Sequence, residues 1–289
     1  MLVVGAGPAG LTLACGLLQQ GIRTRVVDRA ASPATTSRAN VLHLRGAEVL
    51  DRVGALAPLR ERAQSVLQLS LHLERRPIGQ LRFGAGLGSR QSPVVLPQSE
   101  VESGLRCRLA ELGGAVEWDT ELLDAEQSTE HVTARLSSGP VRARWVAGCD
   151  GARSTVRALA GIDFPGSALP EQWVLADVRA DLGVDRGGTL GWLHRGGLLF
   201  AMPMRNETDD LWRLIADAPA GETPTSSGSW SSCAASSTSG PQWTVRGSAR
   251  RCGPRASAST AGWPPSTAAA ASCSPATPRT CTARSAVRA

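Results

Sequence analysis

The stretch Gly5-Ala6-Gly7-Pro8-Ala9-Gly10 decides the fold. It follows the apolar run Met1 to Val4 and opens a helix-like run from Leu11 to Leu18 that stops before Gly21. Arg23 to Val27 reads as a second strand and ends at Asp28. The order is strand, tight turn, helix, strand, which is a βαβ nucleotide-binding unit. In this G-x-G-x-x-G context the first glycine permits the turn and the second lets the backbone approach a pyrophosphate. The third lets helix and strand pack closely, while the helix N-terminus faces the phosphate charge. Asp28 lies 18 residues beyond Gly10, where a carboxylate accepts hydrogen bonds from an adenosine ribose. The same charge disfavours a 2′-phosphate, so the expected nucleotide is FAD or NAD rather than NADP.

Working outward, a helical pattern runs from about Leu42 to Val53 and stops at Gly54, and another runs from Glu100 to Leu112 and closes at Gly113-Gly114. From Leu67 to Leu73 leucine alternates with Gln68, Ser70 and His72, the pattern of a half-buried strand in an antiparallel sheet. Strands are expected at Ala115 to Trp118, His131 to Leu136 and Val141 to Ala147. A β-meander is expected from Trp173 to Val178, Thr189 to His194, Leu198 to Met202 and Leu211 to Ala216. The fold class read from this order is α/β: a Rossmann-like βαβ domain interleaved with a mostly antiparallel β-sheet domain. The expected division assigns 1–64 and 95–160 to the nucleotide domain, 65–94 and 161–222 to the sheet, and 223–289 to a disordered tail.

A second informative stretch is Gly148-Cys149-Asp150-Gly151-Ala152-Arg153-Ser154-Thr155-Val156-Arg157. With the N-terminal motif it resembles the second fingerprint, C-D-G-x-x-S-x-V-R, of the para-hydroxybenzoate hydroxylase-like FAD-dependent aromatic monooxygenases. Between the two, Ser37-Arg38-Ala39 with Arg45 and Glu48 resembles the family's segment after the second strand. Leu96-Pro97-Gln98 resembles its glutamine stretch before the next helix. The resemblance covers roughly residues 1–220 and points to the branch acting on polyketide-type or other bulky aromatic substrates. It implies FAD as cofactor, NAD(P)H as co-substrate, and molecular oxygen and an aromatic small molecule as partners. It also implies that cofactor binding falls to Gly5, Gly7, Pro8, Ala9, Gly10, Asp28, Arg29, Arg38, Gln98, Asp150 and Gly151. No catalytic side chain is assigned, because the flavin performs the chemistry.

The family's third fingerprint, G-D-A-A-H followed by a Pro- and Gly-rich stretch, is missing from this chain. Residues 223–289 contain no Leu, Ile or Phe and are dominated by Ser, Ala, Thr, Pro, Gly and Arg, a composition that cannot bury enough apolar surface to fold. Pairing each codon's third base with the next codon's first two, Ser274 to Ala289 can encode LAGDAAHVHSPLGGQG. That is the missing fingerprint in its family form. The expectation is a frame change near Thr225 to Gly228, leaving an out-of-frame tail.

All 31 basic residues are arginine, which excludes Schiff-base and P-loop lysine chemistry and a lysine-dependent halogenase. Seven of these arginines, and no acidic residue, lie in 223–289, so the net charge of +6 belongs to the tail. The remaining 24 arginines nearly balance 25 acids, and no nucleic-acid or membrane partner is expected. The seven cysteines form no C-x-x-C pair, no metal site is expected, and a reduced cytoplasmic location fits their irregular spacing. His43, His72, His131 and His194 have no partner at useful spacing and read as surface or satisfied histidines.

Overall fold

The computed structural model describes residues 1–35, 37, 39–65, 68–74, 76–82, 93–167, 173–182, 184–194, 197–205 and 210–217. The tail, the expected frame change and Arg38 lie outside the described residues.

The chain opens with β1 (Leu2–Val4), α1 (Pro8–Gln19) and β2 (Arg25–Val27), and continues through β3 (Val41–Leu42), α2 (Leu44–Arg52), α3 (Leu56–Arg62) and β4 (Gln64–Ser65). Next come β5 (Gln68–Leu73), β6 (Arg76–Arg82), β7 (Val94–Val95) and α4 (Gln98–Glu111). β8 (Val116–Glu117), β9 (Leu122–Gln127), β10 (Val132–Leu136), β11 (Gly139–Ala143), β12 (Val146–Gly148) and α5 (Thr155–Leu159) follow. The last described elements are β13 (Trp173–Arg179), β14 (Thr189–His194), β15 (Gly197–Pro203) and β16 (Leu211–Asp217).

Four short strands form a parallel sheet in the order β12-β1-β2-β8. Leu2, Val3, Val26 and Val27 are almost wholly buried in it, as strands of a parallel sheet covered on both faces require. Helices α1 and α4 pack on one side through Leu11, Ala14, Cys15, Leu105 and Leu109. The glycine stops work by one mechanism. At the ends of α1, α2 and α4, Gly21, Gly54 and Gly113 take positive φ, and the N–H groups of the glycine and the next residue bond back to the last turn. These are Schellman closures, which need the left-handed conformation glycine adopts freely.

The larger sheet has six strands in the order β13-β16-β15-β14-β5-β6. Two details differ from the sequence expectation. β13 pairs with β16 rather than β14, so only β14, β15 and β16 form a meander. β5 is antiparallel to β6 but parallel to β14. Alternating leucines report a strand with unequal faces and carry no information on partner direction. The run Val141 to Ala147 also divides, because the chain leaves the β9–β11 sheet after Ala143 and joins β1 as β12. His72 departs from the surface reading as well. Its ring stacks on Trp192 at 5.7 Å, and its Nδ1 is buried without a hydrogen-bond partner among the described residues.

A small sheet, β3-β7-β4, joins the two bodies. Val95 and Val41 from this sheet pack with Met204 and Leu211 from the larger one. Beside them the buried Asn40 donates from Nδ2 to Met202 Sδ at 3.4 Å. The sheet face carrying Met202 therefore turns toward the nucleotide-binding body. Along that face the cross-strand row runs Leu175, Ile215, Phe200, Gly191, Leu71. A Cβ on Gly191 would press on Phe200 and Leu71, so the glycine makes room for the aromatic ring.

Candidate functional site

At the C-terminal ends of the parallel strands, where α/β sheets bind ligands, lies a cavity of about 290 Å³. Of the residues named from the sequence, Gly5, Gly7, Asp28, Arg29, Asp150 and Gly151 line it. Elements separated by more than a hundred residues meet here because β1 lies between β2 and β12 in the sheet.

The three motif glycines differ in what demands them. Gly5 has φ +104°, and a Cβ there would collide with the Cys149 carbonyl and the Asp150 N. A Cβ on Gly10 would fall on the Gly5 carbonyl oxygen. Among the described residues nothing comes within 4 Å of a Cβ on Gly7, which lines the cavity. The fold itself requires Gly5 and Gly10, whereas Gly7 keeps open the space a pyrophosphate would fill. Pro8 occupies the start of α1, behind an extended Gly7 cap, and its fixed φ suits that position. The first-turn N–H groups of Ala9 and Gly10 have no intrahelical acceptor by helix geometry and suit an anion. This cradle fits the diphosphate of a dinucleotide.

Asp28 holds the turn as well as facing the cavity. Its Oδ2 accepts from the Ala6 N–H at 2.7 Å and its Oδ1 from the Ala30 N–H at 2.8 Å. A carboxylate has about four lone-pair sites, so two such bonds leave capacity for ribose hydroxyls. Asp150 is more heavily committed. It accepts from Ser154 Oγ at 2.5 Å and from the Thr155 and Val156 N–H groups at 2.6 and 3.2 Å, holding the start of α5. Asp150→Ala is therefore expected to cost about 1–2 kcal/mol of stability through these lost caps. Thermal unfolding checks this, and an unchanged midpoint would show that the carboxylate does not support α5.

Gln98 lies at the start of α4 and is absent from the cavity lining. Its N–H donates to Ser37 Oγ at 2.5 Å and to the Ala39 carbonyl at 3.0 Å, so the Ser37 to Ala39 segment and the Leu96 to Gln98 stretch meet. The sequence reading missed Thr120, Glu121, Cys149 and Thr155 among the cavity's lining residues. Thr120 follows a parallel strand and donates its N–H to the Asp28 carbonyl, and that strand-end position was the available signal. Burial, followed by the neighbouring Asp150 charge, pushes the Cys149 thiol above its ordinary pKa, so it is protonated at neutral pH and unsuited to thiolate chemistry. Among the described residues no cluster of His, Cys, Asp and Glu could hold a metal, and no helix is long and apolar enough to cross a membrane.

A glycine cradle, a strand-end carboxylate and an Asp-Gly turn on one cavity, beside a mostly antiparallel sheet, define a dinucleotide-binding α/β protein with an appended sheet. The chain belongs to the FAD binding domain family, which matches residues 1–239, and this is a family of FAD-dependent aromatic monooxygenases. It is 36% identical over 231 residues to 6-methylpretetramide 4-monooxygenase of Streptomyces rimosus, covering 77% of this chain and 40% of the relative. It is 33% identical over 209 residues to the 12-dehydrotetracycline 5-monooxygenase/anhydrotetracycline 6-monooxygenase of Streptomyces rimosus subsp. rimosus, covering 69% of this chain and 40% of the relative. The structure of aklavinone-11 hydroxylase with FAD and aklavinone superposes with a TM-score of 0.64 at 27% identity, covering 77% of this chain and 46% of the other. The chain thus spans less than half the length of these relatives.

Proposed function

We propose that the intact parent of this chain is an FAD-dependent, NAD(P)H-using monooxygenase that hydroxylates an aromatic, polyketide-type substrate. The observation that carries the reading is the convergence of Gly5, Gly7, Asp28 and Asp150-Gly151 on one cavity, with the Phe200 face of the large sheet turned toward the same body. Bound FAD would supply the redox chemistry, taking hydride from NAD(P)H and activating oxygen. The protein's part is to bind, orient and exclude water. The α1 N-terminus and Gly7 hold the pyrophosphate, Asp28 the AMP ribose, and Arg29 lies beside them. Gln98 is assigned to the flavin half, Arg38 is assigned to the cofactor by the resemblance of its motif alone, and the row through Phe200 and Gly191 offers an apolar platform to an aromatic ring. The substrate class is supported by the names of the relatives, and the division into 1–64 with 95–160 and 65–94 with 161–222 belongs to the same proposal.

The chain as written carries no third fingerprint. We therefore assign it weak FAD binding and no hydroxylation, with residues beyond about 225 out of frame. The competing reading is a non-catalytic remnant that binds adenine dinucleotides weakly, or another flavin oxidoreductase of the same fold. Sequencing codons 220–230 and purifying both the chain as written and a frame-restored version with its downstream coding sequence tests this. The restored protein should be yellow and oxidise NAD(P)H faster when an aromatic substrate is added, and the present chain should do neither. Stoichiometric FAD and substrate-stimulated oxidation in the chain as written would overturn the truncation reading.

A further inference from the structure

We propose that Glu102 is a positioning residue for the flavin cofactor, acting through Gln98. Glu102 is only 7% exposed on α4, and one of its oxygens accepts from Gln98 Nε2 at 2.8 Å, one helical turn earlier. Burying a carboxylate is costly unless hydrogen bonds or charges compensate it. Glu102 forms no ion pair among the described residues, and Arg106, one turn further along the same row, leaves its Nη1 buried and unpartnered. Charge pairing therefore does not account for the burial, and the bond to Gln98 has a specific consequence. Gln98 Nε2 donates to the Glu102 carboxyl, so the amide nitrogen faces it and the amide oxygen faces away. The backbone of Gln98 is fixed at the same time by Ser37 and Ala39. Glu102 thereby turns a two-fold ambiguous amide into a fixed acceptor, suited to a hydroxyl or ring N–H donor on the flavin half of FAD. This inference rests on the reading above that the start of α4 faces FAD.

The test measures FAD and ADP affinity for the 289-residue chain and for Glu102→Gln, Gln98→Ala and the double variant. FAD is followed by fluorescence and ADP by calorimetry. A glutamine at 102 keeps the shape and can still accept, but it can equally donate to the Gln98 oxygen, so the amide orientation is released. Glu102→Gln is expected to raise the FAD Kd about tenfold, the order of one hydrogen bond. Gln98→Ala should do the same, the double variant should be no weaker than Gln98→Ala alone, and ADP, which lacks the flavin half, should bind equally to all four. An unchanged FAD Kd in Glu102→Gln, additive losses in the double variant, an equal loss of ADP affinity, or wild-type FAD binding no tighter than ADP would each overturn the proposal. Failure of the wild type to bind either ligand would instead remove the dinucleotide reading, and the proposal with it.

Discussion

Gly10→Ala is expected to unfold or severely destabilise the nucleotide-binding body, whereas Gly7→Ala, three residues away, should leave it folded and block the ligand. An added methyl at Gly10 has its nearest neighbours in the Gly5 carbonyl, which is backbone, and in Cys149 Cβ at 3.1 Å. Neither is the free end of a flexible side chain, so α1 must lift off β1 to relieve the overlap. α1 carries Leu11, Ala14 and Cys15 into the core, and displacing it disturbs all three. Overpacking of this kind costs about 1–3 kcal/mol and more where backbone must move, a large fraction of the stability of an ordinary domain. At Gly7 the methyl enters open space on the cavity side, so thermal unfolding should stay near the wild-type midpoint. ADP affinity should nonetheless fall by about a hundredfold, corresponding to about 2.7 kcal/mol of lost phosphate contacts. Unfolding curves and calorimetric titration of the two variants decide the matter. A Gly10→Ala protein as stable as wild type, or a Gly7→Ala protein that binds ADP normally, would show that the motif is not packed in this way.

Asp28→Ala should weaken ADP binding by about 10- to 150-fold, far more than any single arginine-to-alanine change in 223–289. Its carboxylate bonds to the Ala6 and Ala30 N–H groups and lines the cavity, so the substitution removes both a ribose acceptor and the clamp on the glycine turn. A hydrogen bond to a charged group contributes roughly 1.5–3 kcal/mol, which sets that range. Asp28→Asn separates the two roles, since its single carbonyl can hold one of the two N–H groups but not both. An intermediate loss is expected. Equal affinities for Asp28→Ala and the tail variants would remove Asp28 from the site.

These two expectations start from residues whose places in the glycine turn and at the strand end were legible in the sequence. Gly5, Gly7, Gly10 and Asp28 sit on consecutive local elements, and local spacing is enough to specify a βαβ turn. The ends of α1, α2 and α4 were legible for the same reason, because a glycine at positive φ stops a helix through bonds reaching only five residues back. The resemblance to aromatic hydroxylases added Gln98 and Asp150, but it could not say how their side chains are spent. In the fold Asp150 holds α5 and Gln98 is held by Glu102.

By itself the sequence determined the nucleotide-binding turn, the interleaving of two kinds of segment and the family to which both belong, since each depends on residues close together or on motif order. Tertiary structure alone decided that β5 runs parallel to β14 across more than a hundred residues and that the chain changes sheets after Ala143. It also set the Met202 face against Asn40. Strand pairing is a choice among distant partners of similar local pattern, and only burial of all the apolar faces at once selects among them.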